Sequence, residues 1–472
     1  MSTIEHVVTA PARISDAARA RLVLAVLLTA SFTLAVDFSI LNVALPAVGA
    51  DVGFSLDALQ WIPTAFALGA AGFTLLFGRV ADVVGRRRMF LVGMGLLGSS
   101  SLVGGLADAP AVLLAARAAQ GLATAIVTPA ALSLLTTSFA PGPLRERALG
   151  LNGALMAAGF TTGAILGGVL TDVLSWRWAF FVNVVVAAVA LVVAPLVLRE
   201  SRPAVRPRLD LPGALSVTGA LLAIVYGLTH AEATSWGNGV TLGALVAGVV
   251  LLMVFVAVER RATEPLVPLR ILGRREVAVG NLAGVLAFAT ETSLVFLLTL
   301  YLQKVLGLSP LMAGLSFAVL GAGTVLGGMA GPKVIARVGT RRALVAGFGV
   351  QALATLSLVW LGTGDAWLLL VLAATFVGGV ANLVAIVAFM VTATHAVADE
   401  EQGVATGLAS MSQQVGITLG TPIMSAIATG RIGALGGVTP AHVLSGVTLA
   451  IVVNAGAAAV AAVVLAVSVA RR

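Results

Sequence analysis

Residues 22–48 read LVLAVLLTASFTLAVDFSILNVALPAV, an apolar run broken by one charge, Asp37. At about 1.5 Å of rise per helical residue, such a run spans the roughly 30 Å hydrocarbon core of a bilayer. A cleaved leader has a shorter apolar core and a small-x-small cleavage site. This segment is long, holds an internal Asp and lacks a clear site, so it is expected to be retained. The whole chain shares its texture. Of 472 residues, 59% are hydrophobic and only 10% charged, with a mean hydropathy of +1.07. Soluble domains carry roughly 25% charged residues, so lipid must be the outer solvent here.

Working outward, further spans fall near 57–77, 89–107, 111–138, 148–171 and 178–198. A pair follows near 211–229 and 240–258, then six near 277–303, 310–332, 343–362, 366–394, 402–428 and 441–469. The reading is an all-α integral membrane protein with fourteen spans. The net charge of +8 invites a nucleic-acid reading, but the placement of the bases answers it. Arg79 with Arg86–Arg88, Arg199 to Arg208, Arg260 to Arg275, and Lys333 to Arg342 all fall on alternate connections. Only Arg177, Lys304 and Arg431 fall on the others. The positive-inside rule predicts this bias. Both termini are expected in the cytoplasm, and no nucleic acid is needed as partner.

The composition also excludes chemistry. Cys is absent, which removes disulfides, thiol catalysis and thiolate metal sites. His6, His230, His395 and His442 are scattered, so neither a metal site nor a cofactor is expected. No Walker sequence G-x-x-x-x-G-K-[ST] is present, and no span carries a catalytic His, Cys or paired-acid motif. A receptor has no large soluble domain to signal with. A carrier driven by an ion gradient is left, and the chain is expected not to be an enzyme.

Three charges lie deep in spans: Asp37, Arg117 and Glu291. Each costs about 2.5–3.5 kcal/mol at mid-bilayer on insertion scales, and such residues usually face a polar cavity. By helical rise, Asp37 lies roughly 22 Å and Glu291 roughly 21 Å from the inner ends of their spans. Arg117 enters from the other side, within reach of Asp37. One reading is a structural ion pair locking helices together. The other is a proton relay, or a counter-charge for a cationic substrate. Burial and pairing act oppositely on a carboxylate's hold on a proton, so a movement that changes either one loads or releases it.

Gly78-Arg79-Val80-Ala81-Asp82-Val83-Val84-Gly85-Arg86-Arg87-Arg88 joins two spans. Its glycines permit a tight turn, its arginines hold the loop inside, and Asp82 is free to cap a neighbouring helix or to pair with Arg86. The pattern resembles the signature loop of the major facilitator superfamily. Gly331-Pro332-Lys333 through Gly339-Thr340-Arg341-Arg342 is similar to a degenerate second copy, with Ala336 where Asp82 stands in the first. Arg117-Ala118-Ala119-Gln120-Gly121 resembles the R-x-x-Q-G motif of proton-coupled members. Gly150, Gly159, Gly163, Gly167 and Gly168 resemble the antiporter motif, with Ala164 replacing its proline. Asp37 through Pro46 is similar to the first-helix motif of the fourteen-helix drug:proton antiporters. Trp176-Arg177-Trp178, Leu209 through Gly213, and Tyr301-Leu302-Gln303 before Ser309-Pro310 resemble that family as well.

The resemblance implies a major facilitator fold: two six-helix bundles, residues 1–199 and 277–472, around a cavity that opens alternately to each side. Residues 200–276 would be an inserted two-helix hairpin with cytoplasmic linkers. It further implies proton-driven efflux of a small hydrophobic or amphipathic compound, with a cation favoured by two acids set against one arginine. A proton-coupled importer or metabolite carrier of the same fold is the alternative. Asn42, Trp61, Gln120, Asn152, Phe288, Asn382 and Gln414 are candidates to line the cavity, each with packing or an interhelical hydrogen bond as its plain alternative. Ala, Gly, Val and Arg usage fits a high-GC bacterium, so the cytoplasmic membrane is expected. A monomer suffices to form the cavity.

Overall fold

The computed structural model describes residues 16–55, 58–139, 143–201, 210–234, 237–262, 265–266, 269–395 and 402–470. Helices α1 (Asp16–Val52), α2 (Trp61–Val84), α3 (Arg86–Gly105), α4 (Pro110–Ser138), α5 (Pro143–Val173) and α6 (Trp178–Val197) form the first set. α7 (Leu211–Ala233) and α8 (Gly239–Glu259) follow, then the single turn α9 (Leu269–Leu272). The last set is α10 (Arg275–Leu300), α11 (Pro310–Val338), α12 (Thr340–Ser357), α13 (Trp367–His395), α14 (Gln402–Ala434) and α15 (Pro440–Ala470). α10 runs into a π-helical turn, Tyr301–Val305. Local chemistry sets several starts: Asp210 caps α7, Asn238 caps α8 and Ser309 caps α11 through side-chain oxygens that accept from backbone N–H groups. Gly85 and Gly339 hold φ values of 124° and 84°, which let α2 turn directly into α3 and α11 into α12.

Ten of these helices are long and apolar enough to cross a membrane, or eleven when the bent α2 counts as one span. That is fewer than the fourteen spans read from the sequence. The difference lies in α3, whose Gly and Ser residues dilute its hydropathy, and in α5 and α14, where the count covers the described residues only. These small and polar residues lie where helix meets helix, so they tell of packing rather than of lipid.

The packing repeats. In the first set α1 lies on α4, α5 and α6, α2 on α4, and α3 on α4 and α6. In the last set α10 lies on α13, α14 and α15, α11 on α13, and α12 on α13 and α15. Backbone approach at glycine drives both. A Cβ at Gly163 would stand 2.6 Å from the Val36 carbonyl oxygen, and one at Gly167 would stand 1.9 Å from that of Ile40. Gly159 faces Phe32 in the same way, so the stripe presses α5 against α1. Gly416 and Gly420 repeat it on α14, each 2.3 Å by the same measure from the Val285 and Ala289 carbonyls of α10.

The two sets meet along the seams α5–α11 and α2–α14. Their contact is confined in depth. One apolar core draws on both sets at the end of the bundle away from the arginines, from Val43, Leu45 and Ile62 through Leu297, Tyr301, Phe317 and Ile451. At the arginine-rich end each set has its own core, around Phe90, Met94 and Leu134 in one and Phe348, Ala385 and Phe389 in the other. The Gln303 amide, on the π-helical turn, donates to the Val43 carbonyl at 2.7 Å and ties the sets together at the closed end. α7 lies over the α2–α14 seam, where Thr218 donates to the Gly72 carbonyl, while α8 is largely exposed.

Replacing Gly167 tests the α1–α5 crossing. Gly167→Val must push backbone apart, where overpacking costs typically about 1–3 kcal/mol. The expected outcome is a lower unfolding temperature of the detergent-purified protein. Gly349→Ala on α12, whose Cβ would enter open space, is expected to leave it unchanged.

Candidate functional site

The first set of helices closes around a buried polar cluster. Asp37 on α1 is 1% exposed and Arg117 on α4 is fully buried. The Arg117 guanidinium approaches both Asp37 carboxylate oxygens at 3.4 Å through Nη1. Other partners come closer. The Asn183 amide of α6 donates to Asp37 Oδ1 at 2.6 Å, and Gln120 Nε2 donates to the same oxygen at 3.1 Å. Gln120 also accepts from Arg117 at 2.9 Å and donates to Ser101 of α3 at 2.8 Å. The guanidinium carbon lies 4.4 Å from the centroid of the Phe66 ring, a favourable place for a cation. Arg117 Nη2 and Asn183 Oδ1 have no hydrogen-bond partner. The charge pair is therefore longer than the contacts its neutral supports make.

The second set carries a corresponding cluster without an arginine. Glu291 on α10 borders a small pocket of about 20 Å³, with Gln351 and Thr355 of α12 and Thr375 and Asn382 of α13. Asn382 lies near enough to act on the Glu291 carboxylate electrostatically but off hydrogen-bond geometry, and both its amide atoms are without a hydrogen bond. Gln351 Nε2 donates to Thr290 Oγ1 at 2.9 Å, which leaves Oε1 unpartnered. Asn454 of α15 donates to the Thr290 carbonyl at 3.0 Å and to Ser293 Oγ at 2.9 Å. Among the described residues Glu291 makes no ion pair.

Sequence reasoning missed Asn183, Ser101, Gln351 and Asn454. Asn183 had a signal, because it is the only amide in the apolar run of α6, and Asn454 is likewise the only amide of α15.

The loop Gly78–Arg88 is held differently from the expectation that Asp82 caps a neighbouring helix. Asp82 pairs with Arg86 at 2.9 Å. The cap on α3 is Glu200, at the end of α6, whose carboxylate accepts from the backbone N–H groups of Arg87 and Arg88 at 3.0 and 3.3 Å. A carboxylate there meets the positive end of the helix dipole. A Cβ at Gly85 would meet that carboxylate at 2.7 Å, which explains the glycine. Arg87 reaches the Pro195 carbonyl at 2.7 Å and Arg79 that of Pro265 at 2.9 Å. In the second copy, with Ala336 in place of an acid, Arg341 faces Glu276 at 3.9 Å.

The cavity candidates scatter. Gln120 belongs to the Asp37 cluster, and Asn382 belongs to the Glu291 pocket. Asn42 is buried. Trp61 stacks near Tyr226 of α7, with ring centroids 6.3 Å apart. Phe288 meets Phe389 edge to face. Asn152 contacts Met156 within α5, and Gln414 is partly buried. Gly168 turns from the α1 stripe to the other seam, 2.5 Å by its Cβ position from the Pro310 carbonyl of α11, and Gly314 faces Ala164 across it. The surroundings of Gly150 lie outside the described residues.

Known proteins share this sequence and architecture. The chain is 37% identical over 429 residues to the puromycin resistance protein of Streptomyces alboniger, covering 90% of this chain and 85% of that one. It is 38% identical over 426 residues to the cephamycin export protein of Amycolatopsis lactamdurans, covering 87% and 86%. Among solved structures, a bacterial homologue of the human lysosomal transporter Spinster, inward-facing and unoccupied, superposes with a TM-score of 0.65 at 17% identity, covering 95% of this chain and 96% of that one. The human organic anion transporter TETRAN gives a TM-score of 0.61 at 16% identity, covering 94% and 99%. The family model described as Major Facilitator Superfamily matches residues 27–421 and again 282–471. The chain thus belongs to the major facilitator superfamily, and is a multi-pass membrane transporter rather than an enzyme.

Proposed function

We propose that this protein is a drug:proton antiporter that exports antibiotics or related amphipathic compounds by alternating access. The observation that carries the reading is the buried Asp37–Arg117 cluster. A proton on Asp37 would leave Arg117 as an uncompensated charge in an apolar bundle, so protonation demands a new partner or an opened site. A substrate or a conformational change that supplies either one is thereby coupled to the proton. Glu291 is the second coupling acid. The export direction draws support from relatives named for resistance and export and from the α5 glycines.

In this reading the chain crosses a bacterial cytoplasmic membrane fourteen times with both termini inside. The arginine-rich end is cytoplasmic. The core shared by both sets at the other end and divided at the arginine-rich end then corresponds to a cavity accessible from the cytoplasm, where an exporter collects its substrate. The transporter works as a monomer.

Inside-out vesicles with an acidified lumen and a ΔpH-sensitive dye test the reaction. Addition of puromycin-like or cationic amphipathic compounds is expected to release protons from wild-type vesicles. An importer would instead leave the gradient intact in this assay and carry a solute inward with protons in right-side-out vesicles.

A double substitution separates coupling from structure. Asp37→Asn alone leaves Arg117 buried without a counter-charge, a loss of about 3–5 kcal/mol where one partner of a buried pair is removed. Asp37→Asn with Arg117→Gln removes both charges and is expected to regain most of the lost thermal stability without regaining compound-driven proton release. Recovery of both would reduce the pair to a structural lock.

Crosslinking tests the alternation. The native chain has no Cys, so Val43→Cys with Gln303→Cys gives one defined thiol pair at the closed end. A short bifunctional thiol reagent is expected to join them and stop transport, while either single substitution with the reagent continues to transport.

A further inference from the structure

The two polar clusters occupy corresponding helices but solve the charge problem differently. In the first set, Asp37 of α1 has Arg117 of α4 as its counter-charge. In the second, Glu291 of α10 has Asn382 of α13 beside it. The remaining wall of the pocket is made by Gln351, Thr355 and Thr375 together with apolar Leu294, Val295, Leu298 and Leu320.

Among the described residues no ion pair reaches this carboxylate, and on α1, which also packs against α10, Asp37 and Asp51 pair with Arg117 and Arg177. On α10, Arg275 and Glu276 lie in the first turn and Lys304 in the π-helical turn beyond its other end. Lys333 and Arg337 sit in the last turns of α11, and Arg341 and Arg342 in the first turn of α12. The titratable residue of α13 is His395 at its end. Arg431 closes α14 and His442 opens α15. Every one of them is several turns from Glu291.

The oxygens around the carboxylate are unspent. Asn382 is 2% exposed and Gln351 is 3% exposed, yet Asn382 Oδ1 and Gln351 Oε1 have no hydrogen-bond partner. A turned Gln351 amide would set its oxygen against the Thr290 hydroxyl, whose proton is directed at the Leu286 and Ala287 carbonyls. Buried acceptors without donors are costly, and a single proton on Glu291 offers one donor to several of them. A small cation of single charge answers all of them, since hard cations take carboxylate, amide-carbonyl and hydroxyl oxygens together. The charge count favours a monovalent ion, because one carboxylate balances one positive charge.

We propose that the Glu291 pocket is a sodium site, formed by the Glu291 carboxylate with the amide oxygens of Asn382 and Gln351 and the hydroxyl of Thr355, at which sodium and a proton compete. The proposal rests on Glu291 as a coupling acid and adds the ion that exchanges with its proton. The carrier would then respond to sodium through one half and to protons through both.

Ligand-free stability measurement tests it without reference to any exported compound. Unfolding temperatures of the purified full-length protein are compared in sodium, potassium and choline chloride at about 100 mM each, since an ion that binds only the folded state raises them. Sodium is expected to raise the temperature relative to choline at pH 8. Its half-saturating concentration is expected to rise towards the acid range by up to about tenfold per pH unit, as for one proton competing with one ion. Glu291→Gln and, independently, Gln351→Leu should lose the sodium shift, while Asp37→Asn keeps it. Equal shifts in sodium and choline, or a shift retained in both pocket variants, would overturn the proposal. So would a shift produced by methylammonium but not by sodium, which would assign the pocket to the amine of a substrate. None of these outcomes touches compound-driven proton release, so failure here leaves the efflux reading standing.

Discussion

A guanidinium held out of water needs an anion, and the first six helices are arranged around that need. Arg117 sits where α1, α2 and α4 converge, with Asp37 as counter-charge, Phe66 beneath it, Gln120 beside it and the Ile62 carbonyl at 3.4 Å from Nε. α3 and α6 join through Ser101 and Asn183. Removing a member leaves either a naked charge or an orphaned dipole in a medium that cannot hydrate it. The cluster thus fixes the register of five helices.

Such a cluster can move as a unit only if its helices are bound tightly to one another. The glycine crossings supply this. α1–α5 and α10–α14 meet backbone to backbone, and so do α2–α4 and α11–α13, where a Cβ at Gly121 would stand 2.0 Å from the Phe66 carbonyl and one at Gly327 2.3 Å from that of Val380. Lipid provides no hydrophobic drive between helices, so close contact and interhelical hydrogen bonds must hold them. The contacts between the sets are fewer: the approach of Gly168 to Pro310 and of Gly314 to Ala164, an apolar core at one end, and hydrogen bonds from Gln303 to Val43 and from Thr418 to the Ala67 carbonyl. Rigid pairs within each set and a local contact between them are what rocking about a central site requires.

Much of this was legible in the residues. Asp37, Arg117 and Glu291 stood out because charge is expensive in lipid, and the structure joins the first two. The glycine stripe was legible because spacing by four puts residues on one helix face, and Gly159, Gly163 and Gly167 do face α1. Three things were hidden. Asn183 and Gln351 are neutral, and a hydropathy reading weighs a neutral amide far less than a charge although these bind the clusters together. Glu200 lies in a linker that reads as an ordinary charged loop, while its task at α3 depends on where α6 ends in space. The crossing of α3 resisted for the opposite reason, since it trades apolar residues for the Gly and Ser that packing needs.

The α7–α8 pair stands outside the packing repeat. α7 covers the α2–α14 seam and therefore touches both sets. Towards α2 it is fixed, with Thr218 donating into the Gly72 backbone and Arg79 reaching the linker at Pro265. Towards α14 it presents Val217 and Leu221 to Ala405, Leu408, Met411 and Val415. A directional hydrogen bond resists sliding, whereas dispersion between aliphatic side chains is non-directional and re-forms after a small shift. In the proposed alternating access, α7 would accordingly travel with α2 and slip across α14, which would keep that seam covered.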